Sequence, residues 1–177
     1  MRGNPVSTIR LNDCRVPVEN LVGQEGMGLQ IGLTALDTGR MGIAAQALGI
    51  AQAAFDEAVR YAKERHQFGV PIAKHQAVQI MIADMATQVD VARLMVYRAA
   101  SLSDQGKPFS QASAMAKLFA SETACEVTDK AVQVHGGYGY SKSYPVERYY
   151  RDARVTRIYE GTSEIQRVII SRGVLGS

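Results

Sequence analysis

Glu160 is the residue whose position in this sequence is best suited to acid–base chemistry. Gly161 follows it directly and allows a sharp turn. Ser163, with Gln166 three residues later, forms a capping-box pattern, and the apolar residues 168–170 give the predicted helix a face to bury. Glu160 therefore lies on a bend before a helix, where burial disfavours an ionised carboxylate and the helix dipole favours it. We interpret Glu160 as a candidate general base; the alternative is a solvated carboxylate at a helix start.

The composition is that of one folded domain. Hydrophobic residues make up 46% of the 177 residues and charged residues 21%, which excludes a disordered chain. The net charge is only +3, and basic residues alternate with acidic ones, so nucleic-acid binding is not indicated. No apolar stretch reaches the ~18 residues of a membrane span, and the first residues lack the apolar segment of a signal peptide. We predict a cytoplasmic protein that does not bind membranes.

The cysteines and histidines indicate no metal site. Cys14 and Cys125 lack metal-ligand spacing and are expected to be free thiols in a reducing compartment. His66, His75 and His135 also lack such spacing, and we expect no bound metal.

The elements that must position Glu160 are predicted to be helices. The predicted ranges are residues 28–64, 74–105, 109–134, 145–153 and 162–172. At ~1.5 Å per residue the three long helices reach roughly 40 to 55 Å, lengths typical of an up-and-down bundle. The predicted fold class is therefore all-α.

Two sequence patterns indicate how these helices pack. Small residues in the first helix would permit close approach of a neighbour; they are Gly39, Gly42, Ala45 and Gly49. In the second helix one apolar stripe has helical spacing; it comprises Val78, Ile82, Met85, Val89, Ala92 and Val96. In the third, Met115, Phe119 and Val127 are expected to face inward.

The first 27 residues differ from the rest. Residues 7–11 alternate polar and apolar side chains, which predicts a β-strand. Since a lone strand has no sheet to join, this mismatch predicts that the chain begins inside a larger protein, with residues 1–27 preceding a helical domain at 28–177.

Four ordered motifs resemble the acyl-CoA dehydrogenases, flavoenzymes that oxidise acyl-CoA thioesters to 2-enoyl-CoA. The motifs are Arg65-His66-Gln67-Phe68-Gly69 with Gln76, the run from Gln133 to Tyr140, Tyr144-Pro145-Val146-Glu147-Arg148, and Arg151-Asp152-Ala153-Arg154 followed by Ile158 to Arg167. The resemblance extends over residues 6 to 174 and is closest to the short-chain and general bacterial members. It implies that the chain is the family's C-terminal four-helix-bundle domain with additional short C-terminal helices. Residues 1–27 would then be a remnant of the preceding β-domain and a linker, with residues 6 to 12 as the last strand of that domain.

The resemblance also implies the roles of the residues around Glu160. In the family a base removes the pro-R α-proton of the thioester while the β-hydrogen leaves as hydride to flavin N5, and Glu160 matches the base. Some members carry the base on the first long helix, at the position of Gly39, which cannot act as one. Gly161 and the stretch Asp37, Thr38, Gly39 and Arg40 resemble substrate-lining residues. Arg40 could bind phosphate or carbonyl oxygens; a pair with Asp37 is an almost equal alternative.

The cofactor implied by the resemblance is FAD. Two groups of residues match its site. The residues expected to reach a partner subunit's FAD are Arg65, Phe68, Gln76, Gln133, Val134, His135, Gly136 and Gly137. The residues expected to hold FAD within the same active site are Thr162, Ser163 and Glu164. Taken alone, Gly136-Gly137 is more typical of a helix stop, and Phe68 of a core residue.

The implied function is α,β-dehydrogenation of acyl-CoA, with electron-transfer flavoprotein as the acceptor and a homo-oligomer, dimer or tetramer, as the assembly. Two alternatives stay open for the chain by itself. It could be a catalytically inert helical oligomerisation module, or a scaffold that binds CoA or acyl carrier without catalysis.

Overall fold

The computed structural model describes residues 1 and 3–176, which form five α-helices and one short hairpin. The helices are α1 (Gly28–Glu64), α2 (Gln76–Asp104), α3 (Ser110–His135), α4 (Val146–Val155) and α5 (Ser163–Leu175). The hairpin pairs β1 (His66–Gln67) with β2 (Val70–Pro71) in antiparallel register. The predicted all-α class is confirmed, and each predicted helix lies within a few residues of its expected bounds.

Helix α3 is the centre of the fold, because α1, α2, α4 and α5 all pack against it. The connection from α2 to α3 is short, and Gly106 within it has a φ of +64°, which glycine adopts readily. Gly106 therefore ends α2 as predicted. So short a connection makes α2 and α3 antiparallel neighbours, as in an up-and-down bundle.

Alanine, rather than glycine, brings α1 close to α3. The buried face of α1 carries five fully buried alanines at alternating steps of three and four; they are Ala44, Ala47, Ala51, Ala54 and Ala58. Gly42, Ala45 and Gly49 face outward, and a β-carbon on either glycine would have no atom within 4 Å. The expectation that these three residues permit close helix approach is therefore wrong, since the approach occurs one helical face away.

The apolar stripe of α2 faces the core as predicted. Met85, Val89, Ala92 and Val96 are buried, and Val78 and Ile82 are partly buried against the same cluster. In α3, Val127 is fully buried, while Met115 and Phe119 are partly so. The helical spacing of apolar residues thus identified the inward faces of α2 and α3.

The strand expected within residues 6–12 is not formed. These residues have no regular secondary structure, and Val6, Ile9 and Leu11 are all exposed. A strand is stabilised by hydrogen bonds to a neighbouring strand, and the only sheet in the described part of the chain is the β1–β2 hairpin. Alternation alone predicted a strand that has no partner here.

The β1–β2 hairpin between α1 and α2 was not predicted. Phe68 and Gly69 form its turn with positive φ angles of +55° and +80°, and the amide of Ile72 donates to the carbonyl of Arg65 at 2.8 Å. The hairpin projects the Phe68 side chain outward, so that 93% of it is exposed.

Candidate active site

The turn that carries Glu160 connects α4 to α5 and has a left-handed backbone. Glu160 has a φ of +54° and Gly161 one of +88°. A residue other than glycine adopts this region at a cost, and it persists only where the surroundings hold it there. The side chain of Glu160 is half-buried, so the predicted bend before a helix is present and Glu160 is not a fully solvated residue.

The helix start after this bend differs from the predicted capping box. Thr162, not Ser163, is the N-cap of α5, and its hydroxyl accepts from the amide of Ile165 at 3.4 Å. Ser163 is buried within the first turn. Gln166 does not reach the N-cap amide and instead turns its side chain toward the carbonyls of the bend.

Two buried side chains hold those carbonyls. Gln166 donates from Nε2 to the carbonyl of Glu160 at 3.1 Å and to that of Gly161 at 2.9 Å. Lys117 of α3 donates from Nζ to the carbonyl of Gly161 at 2.7 Å. Both side chains are fully buried. The left-handed turn is therefore fixed by hydrogen bonds from two different helices.

Sequence reasoning missed Lys117. It is a lysine on the inward face of α3, between Ala116 and Ala120, which are both fully buried. A cation at an otherwise apolar helical position is the signal that could have identified it, since lysine is almost never fully buried without a partner. Burial lowers the pKa of Lys117 to about 8.

The carboxylate of Glu160 lies directly over Gly39 of α1. A β-carbon on Gly39 would come within 2.5 Å of Oε2 of Glu160 and 3.1 Å of its Cδ. The preceding residue is also tied to α1, because Tyr159 donates its hydroxyl to Oε1 of Gln46 at 2.5 Å. The absence of a side chain at Gly39 makes the room in which the Glu160 carboxylate sits.

Arg40 forms the intrahelical pair that the sequence left as an alternative. Its guanidinium bonds the carboxylate of Asp37 and is buried. Asp37 also accepts from the hydroxyl of Ser110 at 2.9 Å, and its carbonyl accepts from Ser113 at 2.8 Å. This pair borders a groove together with the exposed apolar residues Leu29 and Leu33. Thr38, on the next position of α1, is exposed.

The residues predicted to reach FAD in a partner subunit lie far from Glu160 along the bundle. Arg65 follows α1 about 26 residues after Gly39, which corresponds to ~39 Å of helix. Arg65, Phe68 and Gln76 are exposed around the hairpin. Arg65 lies over the ring of Tyr138, 5.5 Å from its centroid. One chain therefore does not bring these residues and Glu160 into a single pocket.

His135 and Val134 do not offer their side chains to a cofactor. Both are buried, and the ring of His135 stacks on Tyr61 with centroids 4.2 Å apart and meets Tyr144 at 5.4 Å. Its Nδ1 bonds the carbonyl of Ala131 at 2.8 Å, and burial lowers its pKa. That Val134 and His135 contact FAD stays a prediction, and with their side chains in the core the contact would fall to their backbone. Gln133, Gly136 and Gly137 remain exposed at the end of α3.

The three residues predicted to hold FAD beside Glu160 differ in accessibility. Thr162 is half-buried, Glu164 is exposed, and Ser163 is buried with no hydrogen-bond partner for its hydroxyl among the described residues. The pKa of Glu164 is lowered, first by its own backbone amide and then by the Thr162 hydroxyl. These contacts are typical of a carboxylate in the first turn of a helix.

A large groove in the described part of the chain is a separate feature. It lies between α3 and α4, has a volume of about 1190 Å³, and carries mixed charges such as Glu126, Asp129, Arg151 and Arg154. None of the predicted site residues lines it.

None of the described helices combines the length and apolar character required to cross a membrane. The same residues contain no group of three or more side chains of His, Cys, Asp or Glu that could hold a metal ion.

Comparison with known proteins assigns this architecture to a family. Residues 26–175 match the family described as acyl-CoA dehydrogenase, C-terminal domain. The whole chain is 54% identical to the mitochondrial short-chain specific acyl-CoA dehydrogenase of Rattus norvegicus and spans 43% of that protein. It is 53% identical over 169 residues to a subunit of the caffeyl-CoA reductase–Etf complex of Acetobacterium woodii, which covers 96% of this chain and 45% of that subunit.

A solved structure shares the same architecture. Butyryl-CoA dehydrogenase from Megasphaera elsdenii superposes with a TM-score of 0.89 at 51% identity, over 90% of this chain and 42% of that one. The chain thus spans less than half the length of these relatives.

Proposed function

The chain belongs to the acyl-CoA dehydrogenase family and matches its C-terminal domain, and from this we propose that the complete protein is an FAD-dependent acyl-CoA dehydrogenase. It would remove hydrogen from the α and β carbons of an acyl-CoA thioester to give the 2-enoyl-CoA. The observation that carries the proposal is Glu160, a half-buried carboxylate on a left-handed turn over Gly39.

In this reaction Glu160 accepts the α-proton of the thioester. Its carboxylate is on a turn fixed by Lys117 and Gln166, which limits its movement relative to a bound substrate. An α-proton of a thioester is weakly acidic, so the developing enolate needs hydrogen-bond donors at its oxygen. We assign one donor to the backbone amide of Glu160 itself. Gly161, Asp37, Thr38, Gly39 and Arg40 would line the acyl and CoA path, with Arg40 placed by its pair with Asp37 rather than by contact with phosphate.

The residues of this chain partly fit FAD. Its pyrophosphate needs cationic or backbone donors, and the exposed guanidinium of Arg65 and the exposed backbone of Gly136 and Gly137 can supply them. When bound, FAD supplies the acceptor for the β-hydride. Thr162, Ser163 and Glu164 would be next to the cofactor of their own active site; the exposed Glu164 keeps its charge in solvent rather than against the pyrophosphate.

A homo-oligomer follows from the same placement. Because Arg65 follows Gly39 by ~39 Å of helix and Phe68 and Gln76 come after it in the chain, we infer that these residues serve FAD at another copy's active site. We therefore propose at least a dimer in which the hairpin of one copy contacts the cofactor of the other. The exposed side chain of Phe68 is available for that contact.

The substrate and the electron partner are proposed from the named relatives. The rat relative is specific for short chains and the Megasphaera elsdenii relative for butyryl-CoA, so we propose a short acyl-CoA. The Acetobacterium woodii relative belongs to a complex with Etf, which supports electron-transfer flavoprotein as the partner. That relative is named a reductase, so the opposite direction, reduction of an enoyl-CoA, is the second candidate.

For this chain by itself, the alternative of an inert oligomerisation module has specific support. Its Glu160 region and its hairpin region lie too far apart to form one pocket, and no second sheet is present in the described residues to cover the turn. We therefore propose that activity belongs to the complete protein, in which residues 28–177 form the helical domain and residues 1–27 lead into it from a further domain. The predicted cytoplasmic location stays a prediction, and cell fractionation would test it against the mitochondrial location of the rat relative.

The test uses the complete protein with butyryl-CoA and an electron-accepting dye. We expect a yellow flavoprotein that reduces the dye, and a Glu160→Gln variant that binds FAD but has lost turnover. Glu126→Gln, an exposed glutamate of α3, is the matched control and should keep wild-type rates. Turnover retained in Glu160→Gln would refute the assignment of the base; a colourless, inactive wild-type protein would refute the proposed function.

A further inference from the structure

Lys117 carries a positive charge into the interior of the domain, next to the turn of Glu160. Its side chain has no exposed surface, and its Nζ donates to the carbonyl of Gly161 at 2.7 Å. Moving an ammonium group out of water costs several kcal/mol unless it is compensated. A fully buried lysine therefore needs a reason that a neutral side chain could not supply.

Satisfying the carbonyl of Gly161 is not that reason. Nε2 of Gln166 already donates to this carbonyl at 2.9 Å, so a neutral residue in place of Lys117 would leave it with a partner. Without Lys117 the carbonyl of Gly161 is held from α5 alone, because Gln166 belongs to the same helix that the turn begins. Lys117 adds an anchor from α3, the central helix of the fold.

The charges that face Lys117 come from four elements. They are Glu122 of α3, Arg40 of α1, Glu164 of α5 and Glu160 of the turn. Arg40 is paired with Asp37, and Glu122 is paired with Arg157 at 2.9 Å. Glu164 is exposed to solvent. Glu160 is the half-buried anion in this set that has no ion-pair partner among the described residues.

The backbone at Glu160 also needs an external anchor. Its φ of +54° is in the left-handed region, where a side chain with a β-carbon is strained by roughly 1 kcal/mol or more. Such a conformation persists when contacts on several sides fix it. The hydrogen bonds from Lys117 and Gln166 to successive carbonyls meet this requirement.

We propose that Lys117 is a positioning residue for Glu160: its ammonium group anchors the left-handed turn through the Gly161 carbonyl and so holds the carboxylate where it can accept a proton. This inference rests on the proposed function. It assigns the buried cation a consequence for the geometry of the base.

The test compares three variants of the complete protein. Lys117→Met removes the hydrogen bond and the charge with little change in volume, and Lys117→Gln removes the charge but keeps a donor. Lys107→Met is the matched control, since Lys107 is exposed in the loop before α3. For each protein kcat, KM, the pH profile of kcat/KM, flavin absorbance and resistance to urea are measured.

We expect Lys117→Met to lower kcat by about 10- to 100-fold with little change in KM, because the base is displaced rather than substrate binding lost. Lys117→Gln, which keeps a donor on a shorter side chain, should lower kcat in the same direction but to a smaller extent. Flavin content and resistance to urea should not fall, and Lys107→Met should match the wild type throughout.

The outcomes separate this inference from the proposed function. If Lys117→Met does not fold, Lys117→Gln decides: a lowered kcat at an unchanged KM supports the inference, and a wild-type kcat overturns it. Lys117 variants whose kcat and pH profiles coincide with those of Lys107→Met would overturn the inference while leaving the activity intact. An inert wild-type protein would overturn the proposed function, and this inference with it.

Discussion

The carboxylate of Glu160 occupies the space beside Gly39 that a β-carbon would need, with Oε2 only 2.5 Å from that position. The two residues are 121 positions apart in the sequence and come from the turn before α5 and the first third of α1. Since any side chain at Gly39 must displace the carboxylate or the turn, the position of the candidate base depends on a glycine in another helix.

Gly39→Ala should therefore separate activity from stability. Alanine is favoured over glycine in a helix by up to ~1 kcal/mol, so resistance to unfolding should be equal to or higher than that of the wild type. The new methyl group pushes the Glu160 carboxylate away, and kcat should fall by about 10- to 100-fold. Steady-state kinetics and urea unfolding of the complete protein measure the two effects.

Gly42→Ala is the control for that prediction. A β-carbon on Gly42 has no atom within 4 Å, so the same gain in helix propensity should occur without a change in kcat. Equal activity losses in both variants would mean that α1 tolerates no substitution here for a reason unrelated to Glu160.

Gln166→Met should weaken both the fold and the reaction. The side chain of Gln166 is the donor to the carbonyl of Glu160, and leaving that group without a partner costs about 1 to 3 kcal/mol. We expect a lower free energy of unfolding together with a lower kcat. Gln105→Met, at an exposed position after α2, should change neither; an unchanged Gln166→Met protein would show that Lys117 alone suffices to hold the turn.

The helices could be predicted because their determinants are local. The apolar stripe of α2 and the glycine after it gave both the inward face and the end of that helix. The strand at residues 6–12 could not be judged from alternation, since its existence depends on a partner that the sequence pattern does not reveal. The outward faces of Gly42 and Gly49 show the same limit, because residue size does not say which side of α1 meets α3.

Only part of the candidate site could be predicted, because only part of it is encoded by residues that are adjacent in the sequence. Glu160 and its bend are encoded by adjacent residues. The anchors of the bend come from elsewhere: Lys117 lies 43 positions earlier in the sequence, and a lysine in a helix is ordinarily interpreted as solvent-facing. Val134 and His135 were assigned to a cofactor site by a motif, which places residues in order along the chain but does not show which side chains the core buries.

Phe68→Ala should reduce FAD content without destabilising the chain's own fold. The ring is 93% exposed, and its one aromatic contact among the described residues is an edge-on contact with His75 at 5.8 Å, so little buried area is lost. If the hairpin contacts FAD in a partner copy, the complete protein should bind it more weakly. Flavin absorbance on dilution measures how much FAD is retained, and light scattering measures the oligomeric state. Tyr140→Ala, also highly exposed, is the control; equal flavin retention in both variants would contradict the proposed role of the hairpin.

His135 should make the fold sensitive to acid. Burial lowers its pKa in the folded protein below its ordinary value of 6.5, so the unfolded chain takes up a proton first as the pH falls. The free energy of unfolding is then unaffected by this group above pH 6.5 and decreases below it, by at most about 1.4 kcal/mol per pH unit. His135→Phe, which keeps a ring against Tyr61, should flatten that decrease. Val134→Ala should lower stability by the same amount at every pH, and a slope unchanged in His135→Phe would exclude His135 as its source.

Lys117 should make the free energy of unfolding depend on pH in the alkaline range. Burial lowers its pKa from the ordinary 10.5 to about 8. Between these values the folded protein has released the proton and the unfolded chain has kept it, so the free energy of unfolding due to this group increases as the pH rises from 8 to 10.5. Below pH 8 the folded protein retains the buried charge and its desolvation cost.

Lys117→Met should therefore be most stabilised relative to the wild type near neutral pH, and the difference should shrink toward pH 10. Because tyrosines and other lysines are common to both proteins, urea unfolding of the pair at a series of pH values isolates this one group. A difference independent of pH would show that Lys117 stays protonated throughout, held by its neighbouring carboxylates.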